Sequence, residues 1–235
     1  MAYNKRFDGR KFDELREMEA KVGIIKRANG SAMFRIGKTI ALAAVYGPRY
    51  ASRDVYSRVM KSPNHGVLRC NYNMMAFSGS GDRVRPGPSR RSRELSLVIE
   101  KALTPLVNLE EFPGSVIDVF IELPQTDSGT RCAGIVAASM ALADAGIKMK
   151  DLVTSVAVGK IGDKIVVDVN KEEEDYEDGM ADIAVAMSTE TGEITLLQND
   201  GILKKEDLIE ALNAAKKGCL EIKKLQIKAL KECYK

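Results

Sequence analysis

Apolar and polar residues alternate through much of the chain, and in three places that period of two gives way to a helical one. The stretch "VGIIKRANGSAMFRIGKTIALAAVYGPR" reads as strands joined by turns, with Asn29-Gly30 as a hairpin signal because a type I′ turn needs positive φ. Leu68 to Ala76 alternates as a strand does. In "SRRSRELSLVIEKALTPLV" the apolar positions Leu95, Val98, Ile99, Ala102, Leu103 and Leu106 fall on one helical stripe, with Ser89 as its N-cap. "SVIDVFIEL" is a buried strand leading through "PQTDSGTR" into "CAGIVAASMALADAG". The small residues of that second helix predict close packing, and Gly146 is its C-cap. Val153–Val158, Lys164–Val169, Ile183–Met187 and Ile194–Gln198 read as four more strands. A long helix follows from about Lys205, with Leu208, Leu212, Cys219 and Leu225 apolar and an interruption at Gly218.

The order is strands, helix, strand, helix, strands, helix. It predicts an α+β fold with sheets covered by helices. A division near residue 150 separates an N-terminal module, 1–150, from a smaller C-terminal one, 151–235, and with no flexible linker between them the two form one body. With 235 residues and 45% apolar content the chain can build a proper core. It shows neither a membrane-spanning apolar run nor a secretory leader, so the expected address is the cytoplasm. Cys70, Cys132, Cys219 and Cys233 are scattered, which predicts reduced thiols and no metal site among them. His65 is the single histidine, which excludes multi-histidine metal sites and any catalytic dyad built on another histidine.

Net charge is only +3, but it is unevenly spread. "DRVRPGPSRRSR" gathers Arg83, Arg85, Arg90, Arg91 and Arg93, while "KEEEDYED" is acidic. Three segments carry candidate chemistry. "SGTR" places Ser128, Gly129, Thr130 and Arg131 at a strand-to-helix junction. It reads either as a capped turn with a surface arginine or as an anion site built from free helix N–H groups, hydroxyls and a guanidinium. Arg90 and Arg91 open a helix, where cations oppose the dipole. They are either a solvated basic end or a second phosphate-binding element for a polyanionic chain. In the acidic run, Glu172–Glu174 and Glu177 read as a solvated loop. Asp168 and Asp182 stand at facing strand ends, where carboxylates can bind Mg²⁺ or act as a general acid. Two anion sites and a carboxylate cluster suit transfer at a phosphodiester.

These segments, with "RFDGR", "KRANGSA", "AAVYGPR", "YNMMAFS", "PGPSRRSRE", "IDVFIE", "QTDSGTRCAGI", "AASMALADAGI", "VGKIGDKIVVDVNKEEE" and "ITLLQNDG", resemble the RNase PH family over residues 6–201 and into the last helix. Within it the resemblance is to the catalytic RNase PH-like subunit of archaeal exosomes. It implies the RNase PH fold, two β-α-β-type modules in one compact body. It implies phosphorolysis, in which inorganic phosphate as co-substrate attacks the 3′-terminal phosphodiester of single-stranded RNA and releases a nucleoside diphosphate, reversibly. By resemblance, Ser128, Gly129, Thr130 and Arg131 hold phosphate, and Arg90 and Arg91 contact RNA. Asp182 and Asp175 serve catalysis and Mg²⁺. The run "KEEEDYEDGMAD" is longer than the family's usual spacing, so Asp178 and Glu174 compete with Asp175 for the first carboxylate position. His65 aligns with a pore-loop arginine that grips RNA. Implied partners are a catalytically silent RNase PH-like paralogue in a trimer-of-dimers ring and RNA-binding cap proteins. The alternatives are a homohexameric RNase PH trimming tRNA ends and a silent scaffold subunit. Retention of Arg131 and Asp182 argues against the scaffold.

Overall fold

The computed structural model describes residues 3–50, 64–81, 83–85, 87–176 and 180–234. Two sheets enclose a layer of helices. The first sheet has the strand order β1 (Met18–Val22), β2 (Gly30–Ile36), β3 (Thr39–Tyr50), β5 (Ser115–Gln125) and β4 (Val67–Met74). The second runs β7 (Lys164–Val167), β6 (Val153–Ile161), β8 (Met180–Ser188) and β9 (Ile194–Asp200). Every pairing is antiparallel except β4 with β5. Parallel neighbours need a crossover, and α1 (Arg90–Leu103) supplies it. The Ser89 side chain accepts from the Ser92 N–H, and the Ser92 hydroxyl accepts from the Ser89 N–H in return, a full capping box.

α2 (Thr130–Asp144) lies at the centre and packs on strands of both sheets. Nearly all of it is buried, from Cys132 through Leu142. An all-round apolar helix is stable only when enclosed in this way. It ends as the sequence predicts. Gly146 is at φ 71°, its N–H donates to Ala143, and the Ile147 N–H donates to Leu142, which is a Schellman closure. α4 (Lys205–Cys233) packs on β6, β7 and β1. One apolar cluster runs from Phe34 and Ile121 through Ile135 and Met140 to Val156, Ile183 and Ile222, so both sheets share a single core.

Three sequence expectations change. The tight hairpin between β2 and β3 is Gly37-Lys38, with Gly37 at φ 56°, and not Asn29-Gly30. Gly30 is needed for close approach instead: a Cβ there would lie 2.3 Å from the Ala141 carbonyl oxygen and 2.2 Å from the Ala145 nitrogen. The last helix runs unbroken through Gly218, which is buried against Val167, Leu15 and Val156. The acidic run is not simply a loop. Asn170 caps a short helix, α3 (Lys171–Glu174), in which Glu173 is fully buried.

Glu173 is buried because the N-terminal segment covers it. Arg6 Nε and Nη2 donate to its two oxygens at 2.8 Å each, and the Tyr3 hydroxyl adds a bond of 2.7 Å. Burial works against the Glu173 charge, but Arg6 and Tyr3 outweigh it and hold the carboxyl below its ordinary range.

The two glycines predict opposite outcomes in urea unfolding. Gly30→Ala drives a Cβ into the α2 backbone and should destabilise by about 1–3 kcal/mol. Gly218→Ala meets ordinary van der Waals contacts inside a helix and should be neutral or stabilise by up to about 1 kcal/mol.

Candidate active site

The turn from β5 into α2 carries the site. Ser128 and Gly129 both adopt left-handed backbone, at φ 57° and 63°. For Ser128 this costs about 1 kcal/mol or more, and the surroundings must hold it there. They do so from beneath. Thr39 Oγ1 donates to the Ser128 carbonyl and accepts from the Asp127 N–H, each at 2.8 Å. Arg16 Nη1 donates to the Asp127 carbonyl at 2.6 Å. Gly129 is the N-cap of α2 but offers no side-chain cap, so the first N–H groups of the helix face the cleft with their positive partial charge.

The cleft has a volume of about 310 Å³. Ser128, Gly129, Thr130, Arg131 and Cys132 form one wall, with Arg91 from α1, Lys171 and Glu174 from α3, and Asp182 from β8 around them. Small side chains, Ala157 and Ala184, leave room at the bottom. Arg131 is steered by two acceptors: Gln198 Oε1 on β9 at 2.9 Å and Asp182 Oδ2 at 3.6 Å. Gln198 carries no signal in the sequence alone. It finds Arg131 only because β9 lies beside β8.

Asp182 pairs in register with Gly159 on β6 and Asp200 on β9. Burial pushes its carboxyl above the ordinary Asp range. Arg131 pulls it down, Glu174 and Asp200 push it up further, and Arg91 opposes them weakly. A carboxyl held above its usual range in a cleft is suited to proton transfer.

Of the sequence candidates, Ser128, Gly129, Thr130, Arg131, Arg91 and Asp182 come together in this cleft. Arg90 is exposed and is not among its lining residues. Asp175 is likewise absent from the lining: it is exposed and binds Lys171 Nζ at 2.6 Å, and the carboxylate that α3 presents to Asp182 is Glu174. Asp178 and Glu177 lie outside the described residues. His65 is exposed just before β4, at the end of the strand remote from the cleft. Eight residues of extended chain put about 25 Å between the two ends. Asp168 is not among the residues that line the cleft. It is buried, and Arg16 Nε and Nη2 bind its two oxygens at 2.8 and 2.7 Å.

Among the described residues no group of three or more His, Cys, Asp or Glu side chains could cage a metal ion. Asp182 and Glu174 suit the usual mode of Mg²⁺, one or two carboxylates completed by water and substrate phosphate.

Comparison with known proteins bears on this cleft. A family model described as 3′ exoribonuclease family, domain 1, matches residues 14–148, and its domain 2 model matches residues 151–218. The chain is 52% identical to the exosome complex component Rrp41 of Pyrococcus horikoshii over 230 residues, 98% of this chain and 90% of the relative. It is 47% identical to the component of the same name from Methanopyrus kandleri over 229 residues, 97% of this chain and 93% of that one. A rice Rrp46 structure superposes with a TM-score of 0.84 at 22% identity, covering 96% of this chain and all of that one. A chain of an Archaeoglobus fulgidus exosome with RNA bound to the active site superposes at 0.76 with 25% identity, covering 99% and 93%.

Two stability outcomes follow. Because folding raises the Asp182 pKa, its contribution is lost as pH rises from the ordinary Asp value through the raised one. Asp182→Asn should therefore raise the thermal midpoint at pH 7, with the gain vanishing below about pH 4 in calorimetry. Arg16→Met strips Asp168 of its main partner and should cost about 3–5 kcal/mol in urea unfolding.

Proposed function

The chain belongs to the 3′ exoribonuclease family, with the α+β fold of RNase PH, and on that premise we propose that it is the catalytic RNase PH-like subunit of an archaeal exosome, degrading single-stranded RNA from the 3′ end by phosphorolysis. One observation carries the reading. The open N-terminus of α2, Arg131 and a carboxyl raised above its ordinary range, Asp182, share one cleft.

Inorganic phosphate takes the place at Ser128, Gly129, Thr130 and Arg131, where N–H groups and the guanidinium bind its oxygens. Arg91 at the cleft, and Arg90 beside it, receive the RNA backbone. A phosphate oxygen attacks the phosphorus of the terminal nucleotide. The bond to the 3′ oxygen of the preceding nucleotide breaks, and that oxygen takes a proton from the side of the cleft where Asp182 stands. The product is a nucleoside diphosphate, and the reverse reaction extends a 3′ end. Asp182 and Glu174 are the residues that would hold Mg²⁺, which when bound neutralises charge on the reacting phosphate oxygens.

Assembly belongs to the same proposal: a trimer-of-dimers ring with a catalytically silent RNase PH-like paralogue, topped by RNA-binding cap proteins. Support comes from uncovered apolar side chains on the edge strand β9 and just after it, Ile194, Leu197 and Ile202. His65 would then act at a pore formed by the ring. No helix among the described residues is long and apolar enough to cross a membrane, and we assign the work to the cytoplasm.

The test is RNA degradation by the chain reconstituted with its paralogue, with and without phosphate. Phosphate-dependent release of nucleoside diphosphates is expected; monophosphates released without phosphate overturn phosphorolysis. Asp182→Asn should lower the rate about 100-fold or more with assembly intact. Glu174→Gln should lower it about tenfold or more, and Asp175→Asn less than about twofold. The reverse order would return Asp175 to the site.

A further inference from the structure

Tyr72 lies behind the proposed anion site and carries a buried hydroxyl with no hydrogen bond of ordinary geometry. It is in the middle of β4, paired in register with Ile121, and is 1% exposed. Its ring reaches under α2: a Cβ on Gly134 would lie 3.7 Å from the Tyr72 Cδ2 atom. Gly134 stands one turn beyond Thr130 on the same helix face, and Thr130, Arg91 and Arg131 are the groups that act on the phenol. The hydroxyl has no hydrogen bond of ordinary geometry, but the Thr130 side chain is near enough to interact with it. Burial raises the phenol pKa, with Thr130 and the charges of Arg91 and Arg131 opposing, so the group stays a neutral donor.

A buried hydroxyl without a partner destabilises a fold, and phenylalanine would fill the same space without that cost. Thr130 is the first residue of α2, lines the cleft, and has its side chain near the Tyr72 phenol. The threonine hydroxyl has one proton and two acceptor positions. If the proton is aimed at an anion in the cleft, an oxygen lone pair is free for a donor from behind.

We propose that Tyr72 is a positioning residue of the phosphate site: its hydroxyl donates to Thr130 Oγ1 when phosphate is bound and so turns the Thr130 proton toward a phosphate oxygen. The two hydroxyls are close but not aligned into an ordinary hydrogen bond, so the phenol has a donor to give. This rests on the reading of the cleft as a phosphate site, and the measurements separate the two.

The first measurement is the rise in thermal midpoint of the full chain with inorganic phosphate concentration, which needs no turnover. The wild type should be stabilised by phosphate. Tyr72→Phe should be as stable or more stable without phosphate, but need about five- to tenfold more of it for the same rise, the span of one neutral hydrogen bond. In the assembled enzyme, Tyr72→Phe should raise KM for phosphate by the same factor, leaving kcat at saturating phosphate and RNA affinity within about twofold. In a Thr130→Val background, Tyr72→Phe should add nothing. An unchanged phosphate response in Tyr72→Phe overturns the proposal while the phosphate site stands. Loss of stability with equal losses of kcat and RNA affinity assigns Tyr72 to packing and overturns it too. A wild type indifferent to phosphate removes both readings.

Discussion

The ion pair between Arg16 and Asp168 is the constraint on which the site depends. Asp168 follows β7 at φ 54°, a backbone state that a non-glycine residue holds only under compulsion. Arg16 supplies that compulsion with two side-chain bonds and a third from its own N–H to Asp168 Oδ2 at 2.8 Å. The same guanidinium reaches the carbonyl of Asp127, the residue before the left-handed turn at Ser128. Asp127 in turn accepts from the Lys171 N–H at the start of α3. One arginine therefore connects the N-terminal segment, the second sheet, the turn at Ser128 and the helix that presents Glu174. Its charge survives burial because Asp168 and Asp127 outweigh the loss of water and raise its pKa.

Around that pair the architecture works by subtraction. Gly30 lets α2 press on the first sheet, and Gly134 lets Ile121, Ile99 and Tyr72 pack against the same helix. On the other side, Ala157 and Ala184 keep the cleft open where larger side chains would fill it. Close packing brings the first turn of α2 to β8 without bulk between them, and that places Arg131 beside Asp182.

The cleft holds opposed charges in incomplete balance. Arg131 is committed to Gln198 and lies 3.6 Å from Asp182, which is beyond a short ion pair. Asp182 faces Glu174 and Asp200 with too little positive charge nearby. Free helix N–H groups on one wall attract an anion, and crowded carboxylates on the other favour a proton or a cation. A substrate that brings phosphate oxygens satisfies the first need and completes a shell for the second.

Much of this was legible in the residues. Period-two and helical stripes located the strands and α1 and α2, Ser89 and Gly146 marked helix ends, and the segments "SGTR" and "PGPSRRSRE" pointed to anion binding, because those signals are local. Misread features had local explanations that tertiary contact overruled. Asn29-Gly30 looked like a turn, but Gly30 makes room for α2; Gly218 looked like a break, but burial keeps the helix intact. In the acidic run every carboxylate looked alike. Only the fold distinguished Glu173, buried on Arg6, from Glu174 in the cleft and Asp175 in solvent, since the phase of a one-turn helix decides where each side chain points. The sequence by itself determined the family and the fold class, and it singled out the segments that line the cleft. Which carboxylate faces Asp182, that Gln198 steers Arg131, and that Asp168 is buried on Arg16 were decided by strand register and burial, which no local pattern encodes.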